Sequence, residues 1–155
     1  MIDPQKFSDS INSMLRSERE DYHLTLGELR RRVSEHRELF GQDAPVEFRM
    51  LGTKEQLFVG SVGSYRGYYE DLAFEPTTES QVEVVKTADD LLRLCNWALD
   101  RDFPGYKGGS YTMSADTPLW VSPHGHNTKW AILDTMNREA DTLVVVVKDL
   151  SNLSE

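Results

Sequence analysis

Apolar residues recur at helical spacing in three places. Phe7, Ile11, Met14 and Leu15 form a stripe within Pro4 to Glu20, and the pattern predicts a first helix there. In "TLGELRRRVSEHRELFG", Leu26, Leu29, Val33 and His36 follow at the same period. Thr25 is placed to cap this second helix, Glu28 to complete a capping box, and Gly41 to stop it. In "TADDLLRLCNWALDRDFPG", Leu91, Leu92, Cys95, Ala98 and Leu99 make an apolar face. Thr87 stands as its cap, Asp90 at the third helical position, and Pro104-Gly105 as its end.

Elsewhere the pattern is that of strands. "APVEFRML" and "EQLFVGSVG" flank the turn "GTKE", and "DLAFEP" and "QVEVVK" flank a polar turn. "PLWVSP", "KWAILDTM" and "TLVVVVKDL" follow a glycine loop, the last an apolar run suited to a central strand. Helical segments precede and interrupt the strands without regular alternation. That order predicts an α+β fold: a single domain with a mixed or mostly antiparallel sheet and about three helices. The expected divisions are an N-terminal helical extension at 1–23, the α+β domain at 24–150 and a tail at 151–155.

Composition narrows the function. The 155 residues carry a net charge of −9, which argues against a long nucleic acid, whose partners normally present a basic footprint. A single cysteine, Cys95, excludes an intramolecular disulfide, and its place on a helical apolar face predicts a buried structural role. No apolar run is long enough to span a bilayer and the first residues lack the pattern of a signal peptide, so a cytoplasmic location is expected.

Against that acidic background two stretches stand out. "GSYRGYY" (Gly63 to Tyr69) and "GYKGGSY" (Gly105 to Tyr111) each set one cation among glycines and tyrosines. Leu57 to Tyr69 and Phe103 to Trp130 together hold seven of the ten glycines and five of the six tyrosines. Their charges are Arg66, Lys107 and Lys129 against Asp116 alone, so the acidity lies elsewhere. Glycine lets backbone N–H groups close on a phosphate, arginine and lysine bind its oxygens, and tyrosine offers a flat face to a base. Glycine beside tyrosine is also common turn chemistry. The ligand-binding reading assigns Tyr65, Arg66, Tyr68, Tyr106, Lys107, Gly108, Gly109, Tyr111 and His124 to one pocket. It expects these loops to contribute little to the core. Neither stretch has P-loop or dinucleotide-fingerprint spacing.

Other chemistry finds less support. His124 and His126 in "PHGHNTKW" could share a strand face, but no third ligand completes a metal site, and neither metal nor cofactor is expected. Serines near the loops lack a nucleophile elbow, so an enzyme is not expected. A second copy of the chain is the expected protein partner, through the stripe Phe7, Ile11 and Met14.

The strings "TLGEL", "APVEF", "SYRGYYEDLAFEP" and "GYKGGSYTMSADTPLWVSPHG" resemble a family of small proteins encoded by bacteriophages and prophages, over roughly residues 24–131. The resemblance implies a phage setting and no particular reaction. In that setting the loops suggest a non-catalytic binding protein that sequesters a nucleotide-derived immune signal in the host cytoplasm, a counter-defence sponge. The alternatives are an acidic protein-binding inhibitor of a host defence enzyme and a small nucleotide-processing enzyme. Asp and Glu are interspersed with Lys and Arg, which disfavours imitation of DNA.

Overall fold

The structure is a computed structural model that describes residues 23–53, 55–66, 68–78, 80, 83–105, 108–123, 128–139 and 141–150. Helix α1 spans Leu26–Phe40 and helix α2 spans Ala88–Ala98. The strands are β1 (Val46–Met50), β2 (Gln56–Ser64), β3 (Leu72–Thr77), β4 (Asp102–Pro104), β5 (Ser110–Thr112), β6 (Leu119–Val121), β7 (Trp130–Arg138) and β8 (Thr142–Asp149).

Six of these strands close into a barrel in the order β1-β2-β3-β6-β7-β8, while β4 and β5 form a separate two-stranded hairpin. Among the described residues strand outweighs helix, 43% to 23%, so the fold is mostly β and the α+β expectation with about three helices is overturned. The first predicted helix, Pro4 to Glu20, and the tail lie outside the described residues. The physical reason for the correction is closure. β8 pairs parallel with β1, and β3 pairs parallel with β6 across the whole of α2 and the β4–β5 hairpin. Closing the sheet removes its edges, and no local pattern announces such long-range pairings.

Local signals act as expected at α1. Its Thr25 hydroxyl accepts from the Glu28 amide at 3.3 Å, and Leu26, Leu29, Val33 and His36 are its buried face. The Glu28 carboxylate, however, turns to Arg31 at 2.8 Å instead of closing a capping box. At α2 the box is complete: the Thr87 hydroxyl accepts from the Asp90 amide at 3.1 Å and Asp90 accepts from the Thr87 amide at 3.2 Å. This helix stops at Ala98, short of the predicted Pro104-Gly105. Asp100 turns the chain at φ 62, and Phe103-Pro104 passes into β4.

Another predicted strand, "QVEVVK", is absent over its described residues, Glu83 to Lys86. The segment bonds once to each of two strands: the Val46 amide of β1 donates to the Lys86 carbonyl at 2.9 Å, and the Val85 amide donates to the Val59 carbonyl at 2.8 Å, next to a bulge in β2. Single bonds to two strands do not build a ladder with either.

The main core joins α1 and α2 to the barrel through Leu29, Val33, Phe48, Phe74, Leu91, Cys95, Ile132 and Val145, all buried. A second cluster gathers Tyr65, Ala73, Trp120, Ala131 and Leu150.

A candidate ligand face between two hairpin ends

Each Gly/Tyr stretch closes a two-stranded hairpin. "GSYRGYY" leads out of β2 toward β3. The Tyr65 amide donates to the Asp71 carbonyl at 3.0 Å, the Asp71 amide to the Tyr68 carbonyl at 2.8 Å, and the Ser64 hydroxyl to the Tyr69 carbonyl at 2.6 Å. "GYKGGSY" turns β4 into β5. Here the Gly105 amide donates to the Gly109 carbonyl and the Gly108 amide to the Gly105 carbonyl, both at 3.1 Å. Gly108 and Gly109 have φ of 94° and 83°, left-handed geometry that side chains resist, so the turn depends on glycine.

The hairpin ends meet through tyrosines. The rings of Tyr69 and Tyr111 stack at 5.9 Å with 24° between their planes. Both are half-buried, Gly108 and Gly109 are exposed beside them, and Arg66 is half-buried on the neighbouring loop. The two stretches thus meet through Tyr69, which is not among the nine residues assigned to the pocket, and Tyr111, which is. Adjacent tyrosines leave open which faces the partner hairpin, and the string alone could not choose Tyr69.

Tyr65 is a correction. It is fully buried and stacks on Trp120 at 4.2 Å and 10°. Its hydroxyl accepts from the Lys129 amide at 3.1 Å. Burial pushes its phenol up to about 12, against a smaller downward pull from that amide. Tyr65 therefore belongs to the core, and the expectation that these loops contribute little to it fails. Tyr68, 38% exposed, covers the same indole at 6.1 Å. Of the remaining assigned residues, Tyr106, Lys107 and His124 lie outside the described residues, as does the stripe Phe7, Ile11 and Met14.

Beneath Tyr68 lies a polar contact with no signal in the sequence. The Trp120 indole N–H donates to Asp71 Oδ2 at 2.8 Å between residues 49 positions apart, both buried. His23 packs on the same indole at 4.1 Å, and its Nδ1 meets the Leu119 carbonyl at 2.9 Å. A carbonyl only accepts, so Nδ1 carries the proton.

Reactive groups are sparse among the described residues. Cys95 is buried, as its helical position predicts, and burial pushes its thiol up to about 12, which leaves almost no thiolate at neutral pH. No group of three or more His, Cys, Asp and Glu stands ready for a metal among those residues, and none of their helices is long and apolar enough to cross a membrane. No family model, curated protein or solved structure matches this chain.

Proposed function

We propose that the chain is a non-catalytic binding protein that holds a small anionic, nucleotide-derived ligand on the face shared by the β2–β3 and β4–β5 hairpins. The observation that carries this reading is the Tyr69–Tyr111 stack, which sets Arg66 and the Gly108-Gly109 turn on neighbouring hairpin ends. Arg66 would bond the anion, the Gly108 and Gly109 backbone would approach it without side-chain obstruction, and a base would extend the ring stack from its open side or rest on Tyr68. At 5.9 Å the two rings are too close to admit a base between them, since two stacking layers need about 7 Å. In the phage setting that the sequence resemblance implies, such a protein would sequester a host immune signal.

Calorimetry against cyclic dinucleotides, cyclic trinucleotides and ADP-ribose derivatives tests this directly. One member should bind, and Arg66→Ala should weaken it by roughly tenfold or more, the loss of one charge-assisted bond. If no member binds, or if Arg66→Ala and Tyr111→Ala bind like the parent, the face is turn architecture only.

A further inference from the structure

On another side of the molecule, a cleft of about 580 Å³ opens between α2 and the segment Glu83 to Lys86, with Gly60 at the bulge of β2 also lining it. A cleft of this size suits a small ligand. One wall is a helical stripe, Asp90, Arg93, Leu94 and Trp97, at the i, i+3, i+4, i+7 positions that share a helix face. Trp97 is 46% exposed, unusually open for tryptophan. It is nevertheless held in place. Arg101 lies over its ring at 4.0 Å and donates from Nε to the Trp97 carbonyl at 2.8 Å, while Phe103 meets it edge-on at 5.6 Å. A rigid indole with uncovered surface on a cleft is prepared to receive a flat apolar group.

The charges around it are of two kinds. Arg93 is already held by Asp89 at 3.3 Å and Asp90 at 3.0 Å. Glu83 and Lys86, both exposed on the opposite wall, make no ion pair among the described residues. One uncommitted carboxylate and one uncommitted ammonium, beside an indole, complement a molecule with one charge of each sign. We propose that this cleft binds a small zwitterion with a flat apolar body, the chemistry of a short aromatic peptide with free termini. The ligand's ring rests on Trp97 with Leu94 and Val85 beside it. Its carboxylate faces Lys86 and its ammonium faces Glu83. This site is separate from the hairpin face and does not depend on the nucleotide reading.

The test is nuclear magnetic resonance of the full chain, with the Trp97 indole N–H signal assigned through Trp97→Phe. Phenylalanyl-leucine should shift that signal and the Val84–Lys86 amides saturably. The same dipeptide with acetylated and amidated ends should bind about fivefold weaker for each lost charge, and Lys86→Gln should remove about fivefold for the free peptide alone, as expected for exposed ion pairs. Lys86 is exposed, so the variant should fold, and an unchanged spectrum away from the cleft verifies it. Equal affinity for free and capped peptides, an unmoved Trp97 signal, or movement by adenosine monophosphate in place of the dipeptide would each overturn the proposal.

Discussion

"GSYRGYY" and "GYKGGSY" share an alphabet, and each ends a two-stranded hairpin, yet their tyrosines serve opposite purposes. The first sends Tyr65 inward beneath Tyr68 to stack on Trp120, with the buried Asp71 carboxylate bonded to the same indole. The second keeps Tyr111 half-buried on the surface, packed along Gly105, where an added Cβ would lie 2.8 Å from its ring. The difference is one of scaffold. β2 and β3 belong to the closed barrel, so the loop joining them can drop a ring onto its end, whereas β4 and β5 pair only with each other. Equal composition therefore conceals one tyrosine built into the core and one left half-buried at the surface.

The largest expected contrast is in stability. Tyr65→Ala should cost about 3–5 kcal/mol, the usual loss for emptying a buried aromatic site. Denaturant titration showing less than about 1 kcal/mol would place Tyr65 outside the core and break the comparison.

Next comes the turn. Gly109→Ala forces a side chain into φ 83° and should cost about 1–2 kcal/mol, the ordinary penalty of left-handed backbone. The loss should be read together with near-ultraviolet circular dichroism, because it should also disturb the Tyr69–Tyr111 stack. A neutral result would mean that the turn relaxes freely and does not position Tyr111.

Tyr65→Phe keeps the stack and removes the hydroxyl that accepts from Lys129, so it should cost about 1 kcal/mol at neutral pH. It should also change the alkaline limb. In the unfolded chain the phenol titrates near 10.0, and in the fold near 12. Its contribution is complete below the first value and is lost as pH rises through the second, because only the unfolded state has released its proton between them. Parent stability should therefore fall in that window more steeply than that of Tyr65→Phe. Parallel curves would show that Tyr65 ionises in the fold as it does in the open chain.

Tyr111→Ala should have the smallest effect on stability, about 1 kcal/mol or less for a half-exposed ring, while weakening the binding proposed for the hairpin face. A loss of stability as large as that of Tyr65→Ala would erase the distinction between the two stretches.

Much of the local structure was legible. The apolar stripe of α1 is the one its period predicts; β1, β6 and β8 fall within predicted strand segments, and β2, β3 and β7 overrun theirs by one, one and two residues. Misreadings occur where a distant residue intervenes. "QVEVVK" has the composition of a strand, but its described part bonds once to β1 through Lys86 and once to β2 through Val85 and builds no ladder with either. The glycine and tyrosine enrichment pointed to two hairpin ends that do meet. It could not distinguish Tyr65 from Tyr69, because a loop without regular period gives no rule for which ring faces the core.

The N-cap residues of α1 and α2 and the buried face of α1 follow from the sequence by itself, since capping and periodicity act over a few residues. So does the placement of acidity away from the two glycine-rich stretches. Tertiary structure alone decided the closure of the barrel through the β1–β8 and β3–β6 parallel pairs, the burial of Tyr65 and the bond from Trp120 to Asp71. Each joins residues far apart in the chain, and such contacts are selected by how apolar surface and backbone bonds are satisfied together across the whole molecule.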